Sequence, residues 1–181
     1  MKKLVTMLFL TGSAYCQGVV INEYLPINDA CCTDEHGEYD DFIELYNNGS
    51  ASVDVGGMYI TDDLADPTNY QIPTTSPDST TIAPGEFLLL WADNEAEQGI
   101  LHVQIKLKGD GEQIGLYASD GAMVVDTLTY GAETADVSRG RSPDGSETWV
   151  TFDTPTPGRT NGELGLEKPI IPVTFALDQN Y

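Results

Sequence analysis

The chain has 181 residues, with 29 Asp and Glu against 8 Lys and Arg, and carries a formal net charge of −21 at pH 7. A surface this acidic repels phosphate backbones and anionic lipid headgroups, so nucleic acid and bare membrane surfaces are excluded as partners. A hydrophobic content of 40% is enough for one core of ordinary size in a chain of this length, but not for two, and it argues against disorder through the middle of the chain.

At the N-terminus, Lys2-Lys3 precede an apolar run from Leu4 to Leu10 and then small residues. That is the layout of a secretory signal peptide, too short to span a membrane. Residues 1–16 are therefore expected to be removed, with cleavage after Cys16 and Ala14 three positions before the cut. Lipidation of Cys16 is the rival, but Tyr15 stands where a lipobox wants a small residue. Loss of the leader removes two lysines and no acid, so the mature chain is more acidic still.

From Val19 onward the chain breaks into short β-rich runs: VVINEY, FIELY, GMYITDD, EFLLLWAD, HVQIKL, EQIGLYAS, AMVVDTLTYG and ETWVTF. In FIELY, Ile43 and Leu45 fall on one face and Glu44 on the other, the period of two of a half-buried strand. Between the runs stand Asn48-Gly49, Pro84-Gly85, Asp110-Gly111, Asp120-Gly121 and Asp144-Gly145, residues that tolerate the backbone angles hairpins need. No window of helical period is long enough to compete. Many short strands at near-regular spacing predict an all-β antiparallel sandwich, with Ile21, Ile43, Leu45, Ile60, Leu88, Leu90, Leu116, Val125 and Trp149 in its core.

The acids cluster. Asp29 and the loop Asp34-Glu35-His36-Gly37-Glu38-Tyr39-Asp40-Asp41 lie between the first two strands, Asp62-Asp63 with Asp66 follow a later one, and Asp93 with Glu95 and Glu97 follow another. Calcium takes six to eight hard oxygen ligands, and Asp34, Glu38, Asp40 and Asp41, joined by Asp62 or Asp63, are the candidate set. An EF-hand does not fit, because Gly37 is at the fourth position of the loop and His36 stands where a carboxylate or Asn is wanted. A solvated acidic loop is the plainer alternative. The adjacent Cys31 and Cys32 leave open a vicinal bridge, an intermolecular bridge or two loop thiols. Zinc on Cys31, Cys32 and His36 would require a contiguous Cys-Cys pair, which is not the usual ligand spacing.

For catalysis, Glu23 and Glu44 are the pair to weigh. As neighbours on paired strands they would have the residue types of a glycoside hydrolase acid and base. The plainer expectation is that Glu44 meets a backbone donor, Arg139 or Arg141. His36 and His102 are the only histidines, and no Ser/His/Asp spacing, HExxH or phosphate-binding glycine motif accompanies them.

The phrases VVINEYLP (19–26), YDDFIELYNNGSASVDVGGMYITDD (39–63), TIAPGEFLLLWAD (81–93), KGDGEQIGLYASDGAMVVDTLTYG (108–131) and SRGRSPDGSETWVTFDTPTPGRTN (138–161) resemble, in order and spacing, the lamin-tail domain. The resemblance implies an immunoglobulin-like β-sandwich over residues 17–162 that carries no chemistry of its own. It further implies a binding or adhesion module outside the cell, free-standing or accessory to a larger secreted protein, whose partner is an extracellular protein or polysaccharide. A secreted carbohydrate or phosphoester hydrolase using the acidic residues is the alternative. Residues 163–171 are expected to be a linker. Residues 172–181, PVTFALDQNY, resemble the start of a type IX secretion C-terminal sorting domain, so the tail is expected to pack little on the sandwich, and its deletion to leave the melting temperature nearly unchanged.

Overall fold

Most of the short β-rich runs bounded by Gly, Asp and Asn become strands in the computed structural model, which describes residues 18–161. The expected leader, linker and start of a sorting domain lie outside the described residues. In chain order the elements are β1 (Val19–Leu25), β2 (Phe42–Asn47), β3 (Val53–Asp54), β4 (Tyr59–Thr61), β5 (Tyr70–Gln71), a one-turn helix α1 (Pro77–Thr80), β6 (Thr81–Ile82), β7 (Phe87–Ala92), β8 (His102–Val103), β9 (Glu112–Tyr117), β10 (Val124–Tyr130), β11 (Ser138–Arg141) and β12 (Trp149–Phe152). They form a six-stranded sheet in the order β12-β11-β1-β2-β7-β8, a four-stranded sheet in the order β10-β9-β4-β5, and a small β3-β6 ribbon. All pairings are antiparallel except β7 with β8, where Trp91 lies beside His102 in a parallel step.

The two larger sheets face each other across one core. Ile21, Ile43, Leu45 and Leu90 come from the six-stranded sheet, and Ile60, Ile114 and Leu116 from the other. Six of the nine expected core residues are fully enclosed, while Leu88, Val125 and Trp149 are partly buried against the same cluster. Asp120-Gly121 makes the expected hairpin between β9 and β10. Gly121 adopts φ +67°, where an L side chain is strained, and Asp120 Oδ1 accepts from the N–H groups of Ala122 and Met123.

One expectation is corrected. β2 is covered on both faces, and Glu44 is fully enclosed rather than facing water. At one end of the outer face of the six-stranded sheet, Leu25, Phe42 and Trp91 form a second cluster against Cys31 and Cys32, under the β1–β2 loop. At the other end, the segments around Asp144 and Thr156–Asn161 cross over Glu23 and Glu44. Among the described residues, no helix is long and apolar enough to cross a membrane.

Candidate metal centre and aromatic cleft

The acidic loop folds around two side chains. Asp34 Oδ1 accepts from the N–H of His36 at 2.9 Å and of Glu38 at 2.8 Å, while the N–H of Asp34 donates to Glu38 O at 3.0 Å. One carboxylate oxygen thus closes the turn, and Oδ2 is left buried without a hydrogen-bond partner. Asn28 ties the loop's two halves together, its Nδ2 donating to Cys32 O at 2.7 Å and Asp40 O at 2.8 Å. Asp136, a non-glycine residue at φ +58°, pins the loop from the other side by accepting from the N–H groups of Asp29, Ala30 and Cys31. Cys31 and Cys32 are two free thiols with their sulfurs 2.8 Å apart.

Three of the four expected calcium ligands meet. Asp34, Glu38 and Asp40 offer oxygens within 4.8 Å of one another. Burial and the neighbouring carboxylates of Asp93, Asp34, Glu38 and Glu95 raise the Asp40 pKa. Asp41 is not in the group: as the chain enters β2 successive side chains alternate in direction, and its carboxyl instead accepts from the N–H of Asn28 near Lys106. Asp62 and Asp63 are not in it either. They hold their own turn, through Asn69 Nδ2 at 2.7 Å and the N–H of Ala65 at 2.9 Å.

The loop after β7 completes the cluster. Gln98 Nε2 reaches across to Glu38 Oε2 at 2.9 Å. Beneath it lies His102, fully buried on β8, with Nδ1 hydrogen-bonded to Asp93 Oδ2. Asp93 Oδ1 accepts from the N–H of Glu95 at 2.8 Å, so this carboxylate is fixed through both oxygens. His102 Nε2 has no hydrogen-bond partner and lies 3.4 Å from Glu35 Oε1 and 3.9 Å from Asp34 Oδ2. Asp34, His36 and His102 form a second group with ligand atoms within 4.8 Å, and neither group includes a cysteine. His102 has no motif around it to mark it as part of a site. Only the parallel β7–β8 step, which carries it under the loop, reveals its place.

A separate concavity of about 280 Å³ is lined by Tyr24, Leu128, Tyr130, Trp149 and the Glu133–Arg139 pair. The Tyr24 ring lies 4.8 Å from that of Tyr130 and 5.6 Å from that of Trp149. Tyr24 Oη donates to Glu133 Oε1 at 3.1 Å, and Arg139 Nε lies 3.2 Å from the same oxygen. Burial and the adjacent carboxylate push the Tyr24 hydroxyl well above the usual phenol range.

Glu23 and Glu44 are indeed register partners on β1 and β2. Both, however, are sealed beneath the C-terminal segments. Glu23 is bonded to Ser138 and Thr156, and Glu44 to Asn22 Nδ2 at 3.1 Å and the N–H of Gly158 at 2.6 Å. Their carboxyls brace the fold and offer no open face to a substrate.

A sequence model of the Lamin Tail Domain matches residues 13–132. The chain belongs to the lamin tail domain family. No curated protein and no solved structure matches it. The immunoglobulin-like sandwich of that family accounts for the two facing sheets. In this lamin tail domain, β11 and β12 lie beyond the matched residues yet continue the large sheet, through Glu23 opposite Gly140 and Arg141 opposite Trp149.

Buried acids give this domain a defined response to pH. Burial raises the carboxyls of Glu23 and Glu44 and carries Asp41 to about 7, against the opposing pull of Lys106 on the latter. Each group keeps its proton to higher pH in the folded chain than in the unfolded one, so acidification favours folding. This contribution is complete below the ordinary carboxylate values and is lost as pH climbs through the raised ones, up to about 7 for Asp41. Thermal unfolding followed by circular dichroism is expected to give a melting temperature at pH 5 at least about 5 °C above that at pH 8. A higher melting temperature at pH 8 would contradict this account, and Asp41→Asn should flatten the profile.

Proposed function

We propose that this lamin tail domain is a non-catalytic binding module displayed outside the cell, and that its ligand is a polysaccharide. The observation that carries the ligand class is the cleft floored by the buried Tyr24 and Tyr130 rings, where the partly exposed Trp149 stands beside a carboxylate and a guanidinium. Sugars offer the matching chemistry, an apolar C–H face and hydroxyls that both donate and accept. Family membership and the sealing of Glu23 and Glu44 support a role without chemistry. The leader-like N-terminus and the acidic surface support an extracellular setting and argue against nucleic acid as ligand.

The test is affinity electrophoresis of the full chain through gels containing neutral or amino-sugar polysaccharides. Retardation by at least one polymer is expected, weakened about tenfold or more in Arg139→Ala, which leaves the aromatic packing in place. If no polymer retards the chain, or if the variant runs like the wild type, the polysaccharide reading fails and a protein ligand takes its place. Release of reducing ends or of phosphate that disappears in Glu23→Gln would establish the hydrolase alternative.

A further inference from the structure

From the unpartnered nitrogen of His102 we infer that the Asp34 loop and β8 form a site for a late first-row divalent ion of the zinc class, ligated by Asp34 Oδ2, His36 and His102 Nε2. The inference is independent of the proposed function, since it concerns a different face of the sandwich. Three features converge on it. The His102 side chain is fully enclosed, and its Nδ1 is occupied by Asp93, whose other oxygen is also engaged. This is the arrangement in which a carboxylate fixes the tautomer of a metal-binding imidazole. The free Nε2 lone pair faces the fully enclosed Asp34 side chain, whose Oδ2 is likewise unpartnered. A neutral His102 would turn its Nε2 lone pair on the Asp34 carboxylate, a repulsion that a cation bound between them relieves.

A proton on Nε2 would relieve the same repulsion, but it would not account for His36. The His36 ring approaches edge-on, 5.8 Å between centroids, and places a nitrogen in the same group. A metal ion can engage both imidazoles and the Asp34 carboxylate at once, whereas a single proton on Nε2 can be shared with only one of them. Glu35 Oε1, 3.4 Å from Nε2, lies close enough to supply a fourth ligand after a small shift. Gly99 gives the site its room, because a Cβ there would stand 3.2 Å from His102 Cδ2 and 3.4 Å from Glu35 Oε1. Mixed imidazole and carboxylate donors favour zinc, cobalt and nickel over calcium, which takes oxygen ligands and prefers a larger set. The two histidines therefore shift the acidic loop from the calcium class to the zinc class.

The experiment uses the full chain, free of any affinity tag, titrated with cobalt(II) and followed by visible absorption. One equivalent is expected to develop the ligand-field bands of a four- or five-coordinate ion, to be displaced by one equivalent of zinc(II), and to be unaffected by millimolar calcium. His36→Ala, at an exposed position that the fold does not need, should lose affinity about tenfold or more. His102→Gln should abolish the bands, and Asp93→Asn should weaken binding by about 10- to 100-fold. The double variant Cys31→Ser/Cys32→Ser should bind as the wild type does. Absence of bands, displacement by calcium, unchanged binding in His36→Ala, or loss confined to the cysteine variant would each overturn the assignment. If His102→Gln fails to fold, His36→Ala decides the question alone.

Discussion

Arg141→Ala is expected to destabilise the domain by about 3 kcal/mol, the low end of the cost of breaking a buried ion pair by removing one partner, since Asp126 is only partly buried. Arg141 Nε donates to Ile21 O at 2.8 Å, one Nη to Ser146 O at 2.6 Å and the other to Asp126 Oδ2 at 2.9 Å, while the guanidinium lies 4.8 Å from the Trp149 ring centre. Asp126 Oδ2 also accepts from the N–H of Ile21, where the register of β1 slips between Ile21 and Glu23. One guanidinium and one carboxylate therefore fill the gap that the bulge leaves and clasp β1 and β11 of one sheet to β10 of the other. Alanine would leave two carbonyls without that donor and Asp126 without its counter-charge, held only by backbone N–H groups. In thermal unfolding the loss should be about 10 °C. Arg141→Lys should recover little of it, because a single ammonium cannot reproduce the planar fork. Recovery of wild-type stability by lysine would show that charge alone, and not the fork, holds the corner.

Glu23 should divide sharply between two substitutions. Its Oε1 accepts from Ser138 Oγ and from the N–H of Thr156 at 2.9 Å, and its Oε2 lies 2.7 Å from Thr156 Oγ1. Thr156 Oγ1 is also 2.7 Å from Asn161 Oδ1, and one hydroxyl proton cannot serve both acceptors. The conflict disappears when Glu23 keeps its proton, the state that burial favours. Then Oε2–H donates to Thr156, and Thr156 donates to Asn161. Glu23→Gln, which carries a donor in the same place, should change stability by less than about 1 kcal/mol and reduce its pH dependence. Glu23→Ala should cost about 3 kcal/mol, since it strands several buried polar groups together. Urea denaturation of the two variants checks this. Equal losses would mean that Glu23 works as an anion.

The contrast between Ile43 and Glu44 shows where sequence reasoning reached and where it stopped. The alternation that puts Ile43 and Leu45 in the core is local, and so are the Asp120-Gly121 turn and the strands on either side of it. The burial of Glu44 depends on Gly158, 114 positions away in sequence, and no periodicity records such a crossing. β11 is similar: Ser-Arg-Gly-Arg has no apolar alternation, and it becomes a strand only by pairing with β1 and β12. In the acidic cluster, the grouping of Asp34, Glu38 and Asp40 was legible because they share one loop. His102 was not, because a parallel step after β7 brings it there, and Asp41 was misplaced because a strand begins directly after it. The cysteine pair offered three states to a reader of the sequence, and the structure holds the two thiols separately over Phe42 and Trp91.

The borders of the two sheets bear on how copies of this domain behave at high concentration. A long, flat border with unpaired N–H and C=O groups is a template on which another molecule can add a strand, the first step towards fibrils. The large sheet ends in β8, two residues long, and in β12, four residues long. The small sheet ends in β5, also two residues, and in β10, the one border long enough to recruit a neighbour. There the register slips between Val124 and Asp126, and the Asp126 carboxylate turns back to Arg141. The corner clasp thus has a second role, bending the longest border out of the flat geometry that cross-β stacking requires. Variants that loosen it should lose resistance to fibril growth along with stability.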